Sequence, residues 1–202
     1  EMEACVKQGY EELHFYDDLF NINPKRVIAI CDAIDKRGLK VTWDYRGRVN
    51  GINEESIIRF KKSGGRMISF GIETASDEGL KMLRKASTMK QNIEALRLCR
   101  KHGIITIADF IIGLPHERTY DDVLNSIKTL AYDYRPDYAQ FSILSLYPNT
   151  QIFDQAVEKG LIDKDKWSKW AMDPLKTPLI VDHWDEHLTM EQLVALQKKA
   201  YR

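Results

Sequence analysis

Short apolar runs alternate with longer amphipathic stretches along most of the chain, and this alternation predicts its secondary structure. The short runs have the length of strands, whereas the longer stretches place apolar residues three or four positions apart, as helices do. The predicted strands are Leu13–Tyr16, Val41–Tyr45, Met67–Glu73, Ile104–Ile112 and Tyr138–Leu146. The predicted helices are Glu1–Gln8, Pro24–Lys36, Glu54–Lys62, Asp77–Lys85, Met89–His102, Tyr120–Asp133, Thr150–Lys159 and Thr189–Tyr201. Strands that alternate with helices indicate a parallel sheet with helical crossovers.

The predicted strands are polar on one face only. In the third strand, Ile68, Phe70 and Ile72 alternate with a set that includes Ser69 and Glu73. An open sheet with helices on both sides has strands that are apolar on both faces. The pattern therefore predicts an α/β fold with a partial (β/α) barrel of about five parallel strands and a polar interior. A single-layer sheet whose far side is covered by another domain stays an alternative.

The pattern changes near residue 160, which predicts two regions. Residues 1–160 are assigned to the partial barrel, and residues 161–202 to a C-terminal extension with a terminal helix. An irregular aromatic-rich segment is predicted around Trp167, Trp170, Pro174, Pro178 and Trp184.

Composition narrows the function classes. The 202 residues include 30 Lys and Arg and 30 Asp and Glu, so the net charge is zero, and no basic stripe indicates nucleic acid. No apolar run approaches the ~20 residues of a membrane span. Three widely spaced cysteines, Cys5, Cys31 and Cys99, argue against a disulfide framework. These features predict a cytoplasmic protein that binds neither membrane nor nucleic acid.

Four motifs follow the predicted strands in order, and together they resemble the radical S-adenosylmethionine (radical SAM) superfamily. The motifs are Phe15-Tyr16-Asp17-Asp18-Leu19-Phe20, Gly71-Ile72-Glu73-Thr74, Ile111-Ile112-Gly113-Leu114-Pro115-His116-Glu117-Arg118-Thr119 and Tyr147-Pro148-Asn149-Thr150. The branch most similar is the one that includes the anaerobic magnesium-protoporphyrin ester cyclases, whose members often carry an upstream cobalamin-binding domain. The resemblance covers nearly the whole chain.

The resemblance implies a fold, an activity and cofactors. It implies a (β/α)6 partial barrel that binds SAM and a [4Fe–4S] cluster held by a CxxxCxxC motif. It further implies cleavage of SAM to a 5′-deoxyadenosyl radical that modifies a small-molecule substrate, with cobalamin as a possible second cofactor.

The resemblance also implies SAM-binding residues. Asp17 and Asp18 match the position near the amino group of the methionine, and Glu73, followed by Thr74, matches a polar residue near the ribose or the methionine. The turn Ile111, Gly113, Leu114 and Pro115 matches the segment that packs on the adenine, and Tyr147 would complete that side. Each assignment has an alternative. Glu73 could form a salt bridge with Arg46 or Arg66, Gly113 could serve a tight turn without ligand, and Tyr147 could pack in the core.

The chain departs from the family in one respect, since CxxxCxxC is absent. We expect that motif and the first strand to lie before Glu1, which makes the chain a fragment that is inactive by itself. The strand edge at Leu13–Asp18 would then be unpaired and favour a homo-oligomer.

Other features support weaker hypotheses. His183 and His187 are spaced as a metal pair on a helix would be, but helix is doubtful there and no third ligand is evident. A hydrolase or lyase barrel would use Asp18, Asp44, Arg46 and Glu73 directly, and a non-catalytic barrel would serve as a docking module.

Overall fold

A sheet of five strands in the order β1 to β5 forms the centre of the computed structural model, which describes residues 1–17, 19–173 and 182–201. The strands are β1 (Glu12–Phe15), β2 (Thr42–Gly47), β3 (Gly65–Glu73), β4 (Ile105–Ile112) and β5 (Tyr138–Ile143). The first four strands pair in parallel, in chain order. The predicted α/β class is therefore confirmed.

The helices follow the strands as the apolar spacing predicts. They are α1 (Met2–Lys7), α2 (Pro24–Lys36), α3 (Glu54–Lys62), α4 (Asp77–Met82), α5 (Met89–Lys101), α6 (Tyr120–Thr129), α7 (Gln151–Glu158), α8 (Lys166–Met172) and α9 (Met190–Ala200). A 3₁₀ turn spans Val49–Gly51, and a π-helical turn at Leu130–Tyr134 extends α6. Helices α3, α5 and α9 each begin with a capping box, at Asn53, Thr88 and Thr189 respectively. In each box the side chain of the capping residue accepts a hydrogen bond from a backbone N–H of the first turn.

Two sequence predictions need correction. Helix α4 ends at Met82 rather than Lys85, and Arg84 has a left-handed φ of +52° that a continuing helix does not allow. The segment around Trp167 and Trp170 is helix α8 rather than irregular. Pro174 and Pro178 lie outside the described residues.

The chain divides into two compact units. The first consists of Glu1–Phe110 with Ser126–Gln140, and the second of Ile111–Asn125 with Phe141–Arg202. The domain boundary near residue 160 stays a prediction. Across residues 1–17, 19–173 and 182–201, no helix is both long enough and apolar enough to span a membrane.

Aromatic side chains fill the helix-covered side of the sheet in the first unit. Trp43 and Tyr45 on β2 are buried, and Phe60 of α3 meets them edge-on at ring centroid distances of 4.6 and 5.1 Å. Phe20 stacks on Tyr45 at 4.7 Å. The Trp43 indole N–H donates to the carbonyl of Ser63 at 3.1 Å, so the ring is buried without an unpaired donor.

In the second unit, α9 pairs with the backbone of β5. The Phe141 N–H donates to the Tyr201 hydroxyl at 2.8 Å, and the Gln197 amide donates to the Phe141 carbonyl at 2.7 Å. Side chains here satisfy strand groups that would otherwise need a further strand or water.

Asn21 joins the loops that follow β1 and β2. Its buried carboxamide accepts from the Arg48 N–H and donates to the Arg48 carbonyl, both at 2.8 Å. A Cβ at Gly51 would lie 2.1 Å from the backbone carbonyl oxygen of Asn21, so only glycine allows the two segments to come this close. The amide pair therefore fixes the carboxyl ends of two neighbouring strands.

We predict that Asn21→Ala lowers the free energy of unfolding by about 2–3 kcal/mol, because the substitution removes two part-buried hydrogen bonds to the backbone of Arg48. Urea denaturation followed by circular dichroism measures the change. The control is Asn50→Ala, since Asn50 is exposed in the same loop and donates a single hydrogen bond, to Ala86. Equal effects of the two substitutions would contradict the role assigned to Asn21.

Candidate functional site

One face of the sheet in the first unit carries paired polar side chains, and we call it the polar face. Its members come from β1 to β4 and are Glu12, His14, Asp44, Arg46, Ser69 and Asp109. The residues of β4 alternate strictly between buried and half-exposed, as expected when helices cover only the opposite face. The half-exposed residues of β4 are Ile105, Ile107, Asp109 and Ile111, so on this strand only Asp109 adds to the polar face.

His14 and Asp44 are direct neighbours across β1 and β2. The parallel register pairs the two residues, and His14 Nδ1 lies 2.7 Å from Asp44 Oδ2. The His14 side chain is 51% exposed, whereas that of Asp44 is 11% exposed. Burial raises the pKa of the Asp44 carboxyl above its ordinary value, and the imidazole of His14 opposes this shift. A carboxylate oxygen of Glu12, an imidazole nitrogen of His14 and a carboxylate oxygen of Asp44 all lie within 4.8 Å of one another.

The two arginines of this region have carboxylate partners of their own. Arg46 contacts Asp109 at 2.5 Å, and Ser69 donates to the same carboxylate at 3.1 Å. Arg66 contacts Glu12 at 2.9 Å. The salt bridges from Glu73 to Arg46 or Arg66 that the sequence left open are therefore wrong. The hydrolase or lyase hypothesis stays a hypothesis, because Asp18, one of its four residues, lies outside the described residues.

Glu73 ends β3 in an unusual backbone conformation. Its φ is +66°, which is uncommon for a residue with a side chain. The carboxylate lies 2.7 Å from Lys85 Nζ, and both side chains are mostly buried, with 19% and 27% exposed. Gly71 leaves the space for this pair, since a Cβ there would lie 2.6 Å from Glu73 Oε1. Sequence reasoning missed Lys85 because it placed that residue within a longer helix.

Two further features surround the Glu73–Lys85 pair. The next residue, Thr74, is fully buried, and among the described residues its hydroxyl has no hydrogen-bond partner. A small pocket of about 30 Å³ is lined by Gly71 and by three cationic side chains, Arg48, Arg84 and Lys85. The end of β3 thus combines a carboxylate, an unpaired hydroxyl and a cationic pocket.

Asp17 follows β1 and is exposed. It contacts Arg26 of α2 at 3.2 Å, and the Arg26 guanidinium lies 4.9 Å above the centroid of the Phe20 ring. Asp18 lies outside the described residues.

In the second unit, a buried carboxylate holds the turn that follows β4. Glu117 accepts from the N–H groups of Gly113 and Leu114 at 2.8 and 3.0 Å. Gly113 has a φ of +79°, and a Cβ there would lie 2.9 Å from Leu193 of α9. The turn at Ile111, Gly113, Leu114 and Pro115 is therefore fixed by contacts within its own unit. Glu117 belongs to the motif that follows the fourth predicted strand, but the sequence alone does not indicate this contact.

Tyr147 lies in the second unit and is half exposed. Its ring centroid is 5.4 Å from that of Trp167, and its carbonyl accepts from the Thr150 hydroxyl at 2.7 Å. Thr150 also caps α7. His183 and His187 lie in a non-helical stretch, so their spacing does not place them on one helix face as a metal pair.

The cysteines do not form a cluster site. Cys31 on α2 and Cys99 on α5 are buried, and burial raises the pKa of both thiols, that of Cys99 to about 12. A buried thiol that stays protonated is a poor metal ligand. Cys5 on α1 is half-buried.

Comparison with known proteins identifies relatives. The sequence profile of the radical SAM superfamily matches residues 1–130. The chain is 36% identical over 194 residues to an uncharacterized methyltransferase of Pyrococcus horikoshii, covering 96% of this chain and 40% of the relative. It is 31% identical over 188 residues to the anaerobic magnesium-protoporphyrin IX monomethyl ester cyclase of Rubrivivax gelatinosus, covering 90% and 33%. The chain thus spans two fifths or less of these two relatives.

Solved structures share the fold. The radical S-adenosylmethionine methyltransferase TsrM from Kitasatospora setae, solved with cobalamin and a [4Fe–4S] cluster, superimposes with a TM-score of 0.69 at 22% identity. The match covers 79% of this chain and 32% of TsrM. Coproporphyrinogen III oxidase of Escherichia coli, a radical SAM enzyme, gives a TM-score of 0.62 at 15% identity over 94% of this chain and 40% of the oxidase. The partial barrel that the sequence predicts agrees with these two folds.

We predict that Glu117→Ala destabilises the second unit by about 2–4 kcal/mol, because two buried N–H groups lose a charged acceptor. Hydrogen exchange at the amides of Gly113 and Leu114 should accelerate, as measured by mass spectrometry. Glu158→Ala is the control, since Glu158 is an exposed residue of α7. Unchanged protection of both amides would show that another contact holds the turn.

Proposed function

The chain belongs to the radical SAM superfamily, and from this premise we propose that it forms the SAM-binding barrel of a longer radical SAM enzyme of the oxidoreductase or methyltransferase type. The single observation that supports SAM binding best is the Glu73–Lys85 pair at the end of β3. Bound SAM would supply either a 5′-deoxyadenosyl radical or a methyl group to a small-molecule substrate.

The pair suits the amino acid end of SAM, which carries one ammonium and one carboxylate. The Glu73 carboxylate would accept hydrogen bonds from the ammonium, and Lys85 would donate to the carboxylate. Arg48 and Arg84 line the same small pocket as Lys85 and add positive charge for an anionic group. When such a ligand binds, the ion pair between Glu73 and Lys85 is replaced by two ion pairs, one from each side chain to the ligand. Neither side chain is then left without a partner.

Thr74 provides a second reason to expect a ligand here. A fully buried hydroxyl without a partner is unfavourable by about 1–3 kcal/mol, and it lies next to Glu73 in the chain. A ribose or amino acid group at this place would complete its hydrogen bonding. Asp17 and Asp18 enter the proposal as further contacts of the methionine, on the family resemblance alone.

On the family resemblance, Ile111, Gly113, Leu114 and Pro115 would pack along the adenine, and Tyr147 would complete that side. The two backbone bonds to Glu117 favour this role, because they keep the turn in one conformation before ligand arrives.

The [4Fe–4S] cluster does not fit the residues of this chain. Two of its three cysteines are buried with raised thiol pKa values, and no CxxxCxxC motif is present. The cluster ligands of the proposed enzyme would lie in sequence outside this chain. Cobalamin enters the proposal on the family resemblance, and TsrM was solved with cobalamin bound.

The cellular location of the enzyme and its association with other chains are also proposals. Free cysteines agree with a cytoplasmic location, since oxidising compartments favour disulfides. The edge of β1 (Glu12–Phe15) would pair with another chain or another segment.

We predict that Glu73→Gln and Lys85→Met each weaken SAM binding to the full-length enzyme by about 10-fold or more, because each removes a charge-assisted hydrogen bond worth about 1.5–3 kcal/mol. Isothermal titration calorimetry with SAM measures the affinity, and circular dichroism checks the fold. The matched controls are Glu78→Gln and Lys81→Met, which change exposed residues of α4. Unchanged affinity in both variants would remove the pair from the SAM site.

We predict that the 202-residue chain binds no stoichiometric [4Fe–4S] cluster when reconstituted anaerobically with iron and sulfide, because three neighbouring thiolates are missing. Iron analysis after gel filtration measures the outcome. A stable cluster that disappears in Cys5→Ser would contradict the prediction and assign a ligand to this chain.

A further inference from the structure

The His14–Asp44 dyad is not used in the SAM site proposed above. It lies on the polar face, across the two first strands, and not at the end of β3 where Glu73 and Lys85 meet. Its nearest charged neighbours are Glu12, on the same strand as His14, and Arg66, which forms an ion pair with Glu12. The dyad thus contributes an imidazole that the binding of SAM leaves free.

The geometry of the dyad determines which imidazole nitrogen can accept a proton. Nδ1 lies 2.7 Å from a carboxylate oxygen of Asp44, and a carboxylate accepts hydrogen bonds but has none to donate. The neutral ring therefore carries its proton on Nδ1, and its lone pair on Nε2. Within the described residues Nε2 has no hydrogen-bond partner, and half of the His14 side chain is exposed.

We propose that His14 is a proton-transfer residue of the polar face, with Asp44 as its positioning residue. The ligand would be a small molecule with an acidic N–H or O–H group that lies over β1 and β2. The N–H or O–H bond of the ligand breaks, a bond from hydrogen to Nε2 forms, and the ring becomes an imidazolium. The Asp44 carboxylate stabilises that cation, and solvent later takes the proton, so no electron is gained or lost by the protein.

The inference rests on the proposed function in one respect, because it takes the polar face as the place where the substrate of the barrel lies. Burial supports a positioning role for Asp44, since its side chain is 11% exposed and has little contact with solvent. A carboxylate held in this way restricts the rotation of the ring and favours one tautomer.

The first experiment determines the tautomer of His14 in the full-length protein. Long-range ¹H–¹⁵N NMR on histidine-labelled protein at about pH 8, above the ordinary histidine pKa of about 6.5, distinguishes Nδ1–H from Nε2–H, and His14→Gln assigns the signal. We expect Nδ1–H in the wild type and a shift toward Nε2–H in Asp44→Leu. Asp44→Asn is the conservative variant, because its amide oxygen can still accept from Nδ1–H and should restore that tautomer in part.

The second experiment measures whether Nε2 accepts an electrophile, with diethyl pyrocarbonate as the probe. His102 is the internal control, because its Nε2 lies 2.8 Å from Glu54 and its side chain is only 20% exposed. We expect His14 to be modified about 10-fold faster than His102, with peptide mass spectrometry locating the adduct. In Asp44→Leu the rate at His14 should fall toward that of His102.

Four results would overturn the proposal. One is a wild-type ring protonated on Nε2, and another is a His14 rate no higher than that of His102. The third is stoichiometric Zn²⁺ binding that His14→Gln and Glu12→Gln both abolish, which would make the cluster a metal site instead. A destabilised Asp44→Leu with unchanged tautomer and rate would assign Asp44 a structural role only, and it too counts against the proposal.

The outcome of these experiments on His14 can be distinguished from the outcome of the SAM-binding test. Because His14 and Asp44 lie away from the end of β3, we expect SAM affinity to stay within about 2-fold of wild type in His14→Gln. A wild-type protein that binds no SAM would contradict the proposed function, while the tautomer and the diethyl pyrocarbonate rate would still report on the dyad.

Discussion

The parallel register of β1, β2 and β3 is the constraint on which the polar face depends. Side chains alternate between the two faces of a strand, so a slip of one residue would exchange the faces. In β2, such a slip would turn Trp43 and Tyr45 toward solvent and bury the charges of Asp44 and Arg46 under helices. The aromatic core and the ion pairs therefore favour the same register, and each stabilises the geometry of the other.

Asn21 extends this constraint from the strands to the loops that follow them. Its two hydrogen bonds to Arg48 connect the chain after β1 with the chain after β2. Arg48 lines the pocket beside Lys85, so the amide pair also places a cationic side chain of the proposed SAM site. In the second unit, Glu117 has a similar effect, because a single side chain determines where the backbone of a turn can lie.

Periodicity predicted most of the elements, because helix caps and apolar spacing are local features. Both ends of α2 and α3 were predictable from Pro24, from Asn53 and from the glycines that follow. Lys85 could not be placed in the site, because the left-handed residue at Arg84 ends α4 early and no local rule requires it. The His14–Asp44 dyad could be predicted from the sequence only in part. Alternation placed both residues among the polar positions, but the pairing of two strands 30 residues apart depends on a register that a single sequence does not specify.

The backbone at Glu73 links the fold to the proposed site. A side-chain-bearing residue at a φ of +66° is disfavoured by about 1–3 kcal/mol, whereas an ion pair that is not fully buried contributes about 0–1 kcal/mol. The contact with Lys85 therefore does not by itself compensate for the strain, and a glycine at this position would relieve it. A carboxylate kept in a strained conformation, beside a buried Thr74 hydroxyl that has no partner among the described residues, supports the proposal that a ligand binds here. Because the strained residue ends β3, the ligand would bind at the carboxyl end of the strand, where parallel α/β barrels carry out their chemistry.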